Sequence, residues 1–281
     1  MTIRTRSALL GAAGCVLLLA ATWLAAFHVG IFRLADQSIF SGFYDLNRHG
    51  PIDWLAWHFA TLCDPSPYVY LVAIPIVLAL ARGRPRVALA VAALLLGANV
   101  TTQVLKPLLA EPRATSLLGF TPVGAASWPS GHATAALSLA LACVIAAPAR
   151  ARPVVGALGA LFAVAVSYSF LTLGWHYPSD VIGGFLVATT WALLAIAGLK
   201  AAESRGPRSA AGLGGGSITQ ALGPLGATLA GAVVLATLAL LTRPHQVVSY
   251  AHAHQAFVVG AAAIAACGVA LSAAIVLTVR R

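Results

Sequence analysis

Long apolar runs alternate along the chain with short polar interruptions, and the runs are of bilayer length. Stretches able to cross a hydrocarbon layer of about 30 Å begin near residues 8, 66, 85, 131, 154, 179, 220 and 256, so the pattern predicts eight membrane-spanning helices. The first, over 8–34, follows Arg4 and Arg6 and is longer than the roughly 7–15-residue core of a signal peptide, so it reads as a retained signal anchor. The second, over 68–81, is short and contains Pro75, but Asp64 followed by Pro65 supplies a helix start that lengthens it. Between these two, residues 36–63 mix Trp54, Trp57, Phe59 and Leu62 with His49, His58 and three acids. That composition suits a helix lying at the membrane interface, either as a plain connector or as a guide for substrate. The stretch 201–217, rich in Gly, Ser and Ala, is the one convincing flexible linker. The expected organisation is a six-helix membrane domain over 1–200, a linker over 201–218 and a two-helix transmembrane appendage over 219–281 to which no role attaches. No internal repeat supports an inverted-repeat transporter.

Composition strengthens the membrane reading. The chain is 60% apolar and only 9% charged, with a mean hydropathy of +0.90, which excludes a water-soluble globular fold. The fold class is an all-α polytopic membrane protein. The net charge of +10 is spread in short clusters between apolar runs, where it orients helices, and nucleic acid is not expected as a partner. With the N-terminus cytoplasmic, 12 of the 17 basic residues fall inside and 5 outside: Arg33, Arg48, Lys106, Arg113 and Arg243. Six of the seven acids lie outside, and eight helices put both termini in the cytoplasm. The 15 Arg to 2 Lys, with abundant Ala, suggest a bacterium of high genomic GC content and hence its cytoplasmic membrane. Of the four cysteines, Cys15, Cys143 and Cys267 sit inside apolar runs and Cys63 outside, which is neither a disulfide framework nor a metal-spaced cluster.

Three polar clusters interrupt the apolar pattern, and the topology sends all of them to the external face. Lys106 and Arg113 are seven residues apart; two cations so placed suit a phosphate, although span-end cations also snorkel to headgroups. Trp128-Pro129-Ser130-Gly131-His132 opens the fourth span, with Ser130 a natural N-cap, Gly131 permitting close approach to the backbone, and the helix N-terminus offering amides to an anion. Read blandly, it is a capped helix start with an interfacial His132. Gly174-Trp175-His176-Tyr177-Pro178-Ser179-Asp180 joins the fifth and sixth spans. Asp180, four residues after His176, can accept its ring N–H and fix which nitrogen is free, although Trp175 and Tyr177 also fit an aromatic belt. Together the clusters supply cations, an anion cradle, two histidines and an orienting acid, the inventory for phosphoryl transfer. No carboxylate or His/Cys spacing points to a metal or other cofactor.

Lys106-x6-Arg113, Pro129-Ser130-Gly131-His132 and Ser169-Phe170-x5-His176-x3-Asp180 resemble the three motifs of the type 2 phosphatidic acid phosphatase superfamily, membrane lipid phosphatases related to vanadium haloperoxidases. The resemblance covers roughly residues 8–200. It implies a metal-independent hydrolase acting on a lipid phosphate or diphosphate. His176 would form a phosphohistidine, Asp180 would orient it, and His132 would protonate the leaving oxygen and later activate water. Lys106, Arg113, Ser130 and the Gly131 amide would hold the phosphate oxygens. Two positions depart from the family pattern: Ala114 replaces the usual Pro, and Phe170 replaces an Arg expected six residues before His176. The second departure removes a phosphate-binding cation, for which Arg48 and Arg243 are candidate substitutes. It also leaves open a relative that is weak or inactive and binds anionic lipid or a partner protein.

Overall fold

The computed structural model describes residues 3–46, 50–113, 123–204 and 240–280, together with the single positions 226, 237 and 238. The described chain is helical, without strands: α1 (Ile3–His28), α2 (Gly30–Leu46), α3 (Gly50–Thr61), α4 (Pro65–Ala81), α5 (Pro85–Leu108), α6 (Gly131–Ala146), α7 (Arg152–Thr172), α8 (Pro178–Glu203), α9 (Pro244–Ala253) and α10 (Gln255–Arg280). A 3-10 turn, Ala125–Ser127, precedes α6. Proline in the first turn of α4, α5, α7, α8 and α9 starts these helices where the missing N–H costs nothing.

Among the described residues six helices, α1, α5, α6, α7, α8 and α10, are long and apolar enough to span a membrane. A seventh span forms if α3 and α4, bent by 57° at their junction, are counted as one. The bend falls at Asp64, whose extended backbone (φ −67°, ψ 151°) is the conformation favoured before a proline. The expected span near residue 220, most of the linker, and Arg48 and Ala114 lie outside the described residues.

The first apolar run divides earlier than its hydropathy suggests. α1 closes at His28 and Gly30 opens α2, so Ile31 to Leu34 belong to the next helix. Apolar content is continuous across this break, which falls at Val29. α2 does not lie bare at the interface: Asp36, Gln37, Phe40 and Phe43 form one buried face against the bundle, at the spacing a helix requires. α3 fits the interfacial expectation better, with Trp54 and Trp57 exposed.

α8 is the axis of the bundle, packed against α1, α5, α6 and α10 through Val181, Phe185, Ala188, Ala192 and Ile196. α10 contributes Ile264, Ile275, Val276 and Val279 to this same core. Its Ser272 hydroxyl donates to the Gly156 carbonyl at 2.8 Å. At its C-terminal end Lys200 Nζ donates to the Thr278 carbonyl at 3.0 Å and Arg152 Nη1 to the Val279 carbonyl at 3.4 Å, cations where the helix dipole favours them.

Candidate active site

The third motif is shaped by its backbone. Gly174 takes φ +75°, a left-handed conformation that turns the chain out of α7, and Pro178 starts α8 four residues later. His176 and Tyr177 are held in the turn between, both buried. Asp180, in the first turn of α8 and fully buried, reaches back with Oδ2 to accept from the Tyr177 amide at 3.0 Å and to meet His176 Nδ1 at 3.2 Å. A carboxylate on Nδ1 keeps the proton there and leaves the Nε2 lone pair free as a nucleophile.

The second motif is fastened to the third. The Ser130 amide donates to the Asp180 carbonyl at 2.9 Å, while Ser130 Oγ caps α6 by accepting from the Ala133 amide at 3.3 Å. Gly184 makes this approach possible: a Cβ there would lie 2.7 Å from the Ser130 carbonyl oxygen. The result sets the His132 and His176 rings 6.3 Å apart, centroid to centroid. Phe170 lies beneath both, 5.8 Å from His132 and 5.2 Å from His176, and is fully buried. The ring in the place of the motif Arg therefore acts as a floor for the two imidazoles.

Lys106 comes from the last turn of α5. A Cβ on Gly131 would stand 3.5 Å from Lys106 Nζ and 3.6 Å from Gln103 Nε2. The bare face of Gly131 is thus a small cradle bounded by an ammonium, an amide and the free N–H groups at the start of α6, the chemistry of an anion site.

Arg113 is placed differently from Lys106. Its guanidinium lies between the rings of Phe27 and Tyr177, at 4.1 and 4.6 Å from their centroids. Nη1 donates to Asp36 Oδ2 at 2.9 Å, and Nη2 donates to Ser179 Oγ at 3.1 Å and to Asp180 Oδ1. Nε is buried with no hydrogen-bond partner among the described residues. Asp36 also accepts from the Ser179 amide at 2.8 Å and the Ser179 hydroxyl at 2.6 Å. Burial, with the adjacent charge of Asp180, pushes the Asp36 carboxyl up to about 6 against the pull of Arg113 and Ser179.

All seven motif residues singled out in the sequence gather at this end of the bundle. Lys106, Gly131 and His132 line a common space with the His176 ring beside that of His132, Ser130 and Asp180 support the two histidines, and Arg113 grips the far side of Asp180. The sequence assigned no part in the site to Asp36, Asp64, Gln103 or Ser179, and took Asp64 only as a helix start. Asp64 Oδ1 is 3.0 Å from His132 Nε2. Arg243 is exposed at the start of α9. Among the described residues no group of three or more metal-ligating side chains occurs.

A groove of about 590 Å³ opens from the His132 side of the site between α4, α5 and α6. Its head is polar, with Asp64, Lys106, Gln103 and His132, and its lower wall is Val69, Val72, Ile76, Leu95 and Leu96. From Lys106 to Ala92 it follows α5 for about 21 Å at the rise of an α-helix.

Comparison with known proteins agrees with the motifs. Residues 87–203 match the family model described as PAP2 superfamily. No curated protein matches. Among solved structures, the first transmembrane PAP2 type phosphatidylglycerolphosphate phosphatase from Bacillus subtilis superimposes with a TM-score of 0.54 at 20% identity, over 70% of this chain and 98% of that one. At that identity the match speaks for the fold. The chain is a helical integral membrane protein with the fold of that structure, and the segment that matches the PAP2 superfamily model, residues 87–203, carries Lys106, His132, His176 and Asp180.

Proposed function

We propose that the protein is a membrane phosphatase that hydrolyses a lipid phosphate or lipid diphosphate at the external leaflet. The observation that carries the reading is the pairing of His176, backed by Asp180 on Nδ1, with His132 across 6.3 Å at the head of a groove whose wall is apolar. His176 Nε2 attacks phosphorus, His132 protonates the departing lipid oxygen, and water then releases phosphate from the phosphohistidine with His132 as base. Lys106, the Gly131 amide and the capped N-terminus at Ser130 hold the phosphoryl oxygens, and the unpartnered Nε of Arg113 is the donor it has left for them. The lipid chain lies in the groove. The orientation is supported by Arg84 and Lys200, which share a small cavity with Val279 at the opposite end of the bundle from the site.

A second reading, a non-catalytic relative that binds anionic lipid or a partner protein, rests on Phe170, which takes the place of a motif cation. One experiment separates the two: short-chain lipid phosphates and diphosphates added outside right-side-out vesicles containing wild type or His176→Ala. Release of phosphate by wild type, its loss in His176→Ala, and an acid-labile phosphoenzyme support the phosphatase. Binding without release, unaffected by His176→Ala, supports the second reading.

A further inference from the structure

Asp64 occupies the N-cap of α4, where an aspartate ordinarily turns its carboxylate to the amides of the first turn. It makes no such cap. Its Oδ1 is directed instead at His132 Nε2, 3.0 Å away and 68 residues distant in sequence. The site thus contains two histidine–carboxylate pairs that leave opposite nitrogens free. Asp180 occupies Nδ1 of His176 and frees Nε2, whereas Asp64 occupies Nε2 of His132 and frees Nδ1.

The Asp64 side chain is 42% exposed and lines the groove. A bridge this open contributes little to stability, so holding the fold together is a poor account of why the helix gives up its cap. We propose that Asp64 is a positioning residue that holds the ring of His132 and stabilises its protonated form during both halves of phosphoryl transfer. The inference rests on the phosphatase reading above.

In the first half, the lone pair of His176 Nε2 forms the P–N bond. The P–O bond to the lipid breaks with its electron pair on the lipid oxygen, and the proton on His132 Nδ1 moves to that oxygen. His132 becomes neutral and keeps its Nε2 proton on Asp64. In the second half, Nδ1 takes a proton from water as the water oxygen bonds to phosphorus and the P–N electron pair returns to His176. His132 is again an imidazolium beside the Asp64 carboxylate, and inorganic phosphate departs.

The test uses the full-length protein and two probes, p-nitrophenyl phosphate, whose leaving group departs as a stable anion, and a long-chain alkyl phosphate, whose leaving oxygen needs a proton. For Asp64→Asn, kcat/KM on the alkyl phosphate is expected to fall by about 10²–10⁴, the usual contribution of general acid catalysis. On p-nitrophenyl phosphate it falls far less, and a burst of nitrophenolate precedes a slowed steady state because the second half still needs the base. Asp64→Glu recovers part of the loss, and in a His132→Ala background Asp64→Asn costs nothing further. Equal losses on both probes, or additive losses in the His132→Ala background, overturn the role of Asp64 while leaving the phosphatase reading intact. A wild type inert toward both probes, or one active without His176, overturns the phosphatase reading and this inference with it.

Discussion

Replacing Arg113 by Met separates two roles for this cation, clamp and phosphate ligand. The substitution removes the donors that reach Asp36, Ser179 and Asp180 and leaves two carboxylates, with side chains 7% and 0% exposed, around an apolar chain. Breaking a buried ion pair from one side costs about 3–5 kcal/mol. The stacking between Phe27 and Tyr177 adds a cation–π loss of about 0.5–2 kcal/mol, partly offset by the packing of the Met side chain. Uptake of a proton by one of the carboxylates limits the total, so a net loss of about 3–5 kcal/mol is expected. Removing one negative charge at the same time relieves the repulsion. Arg113→Met with Asp36→Asn is therefore expected to lose less than the sum of the single variants, with a coupling of about 0.5–3 kcal/mol. The assay is the thermal midpoint in detergent for the four proteins of the cycle, with kcat and KM measured beside it. If Arg113→Met leaves the midpoint unchanged and raises only KM, or if the two losses add, the clamp account is wrong and Arg113 is a phosphate ligand.

Asp36, with its carboxyl at about 6, gives a signed pH dependence. An unfolded aspartate titrates near 4, so between about pH 4 and 6 the folded protein holds more protons and stability falls as pH rises through that window. Asp36→Asn is expected to flatten this part of the curve; midpoints that keep the same slope in the variant refute it. Gly131→Ala places a methyl at ordinary contact distance from Lys106 Nζ and Gln103 Nε2, so it folds with a wild-type midpoint but fills the anion cradle. Inorganic phosphate is expected to inhibit this variant at least tenfold more weakly, by loss of about one hydrogen bond to a charged group; unchanged inhibition places the anion elsewhere.

How far the sequence could be read depended on the range of the interaction. Spans were legible because hydropathy is a local sum, and α5, α6, α7, α8 and α10 start within two residues of their expected positions. The His176–Asp180 pair is legible because only four positions separate its members. The partners from outside the motifs were not. Asp36 meets Arg113 across 77 positions and Asp64 meets His132 across 68, and as isolated acids they read as an external charge and a helix start. The division between α1 and α2 was hidden for another reason: Val29 and Ile31 are as apolar as what precedes them, and a one-residue interruption of the helix leaves hydropathy untouched. Phe170 was seen as a missing cation; that its ring supports both imidazoles depends on the meeting of α6 and α7, which no local pattern encodes.

The place of α10 imposes an order on biogenesis. Arg152 is 2% exposed in the finished bundle, and it and Lys200 donate to carbonyls of a helix synthesised well after both. At about 5–20 residues per second, translating residues 204–280 takes on the order of 4–15 s. Through that interval the slot beside Val164 and Phe185, which Gly268 closes in the mature protein, has only lipid tails or the insertion machinery to fill it. The central helix bearing the Asp180 carboxylate therefore waits, half-walled, for a segment that contributes none of the motif residues, and a slowed or mistimed insertion of α10 would be felt first as a misassembled centre of the bundle.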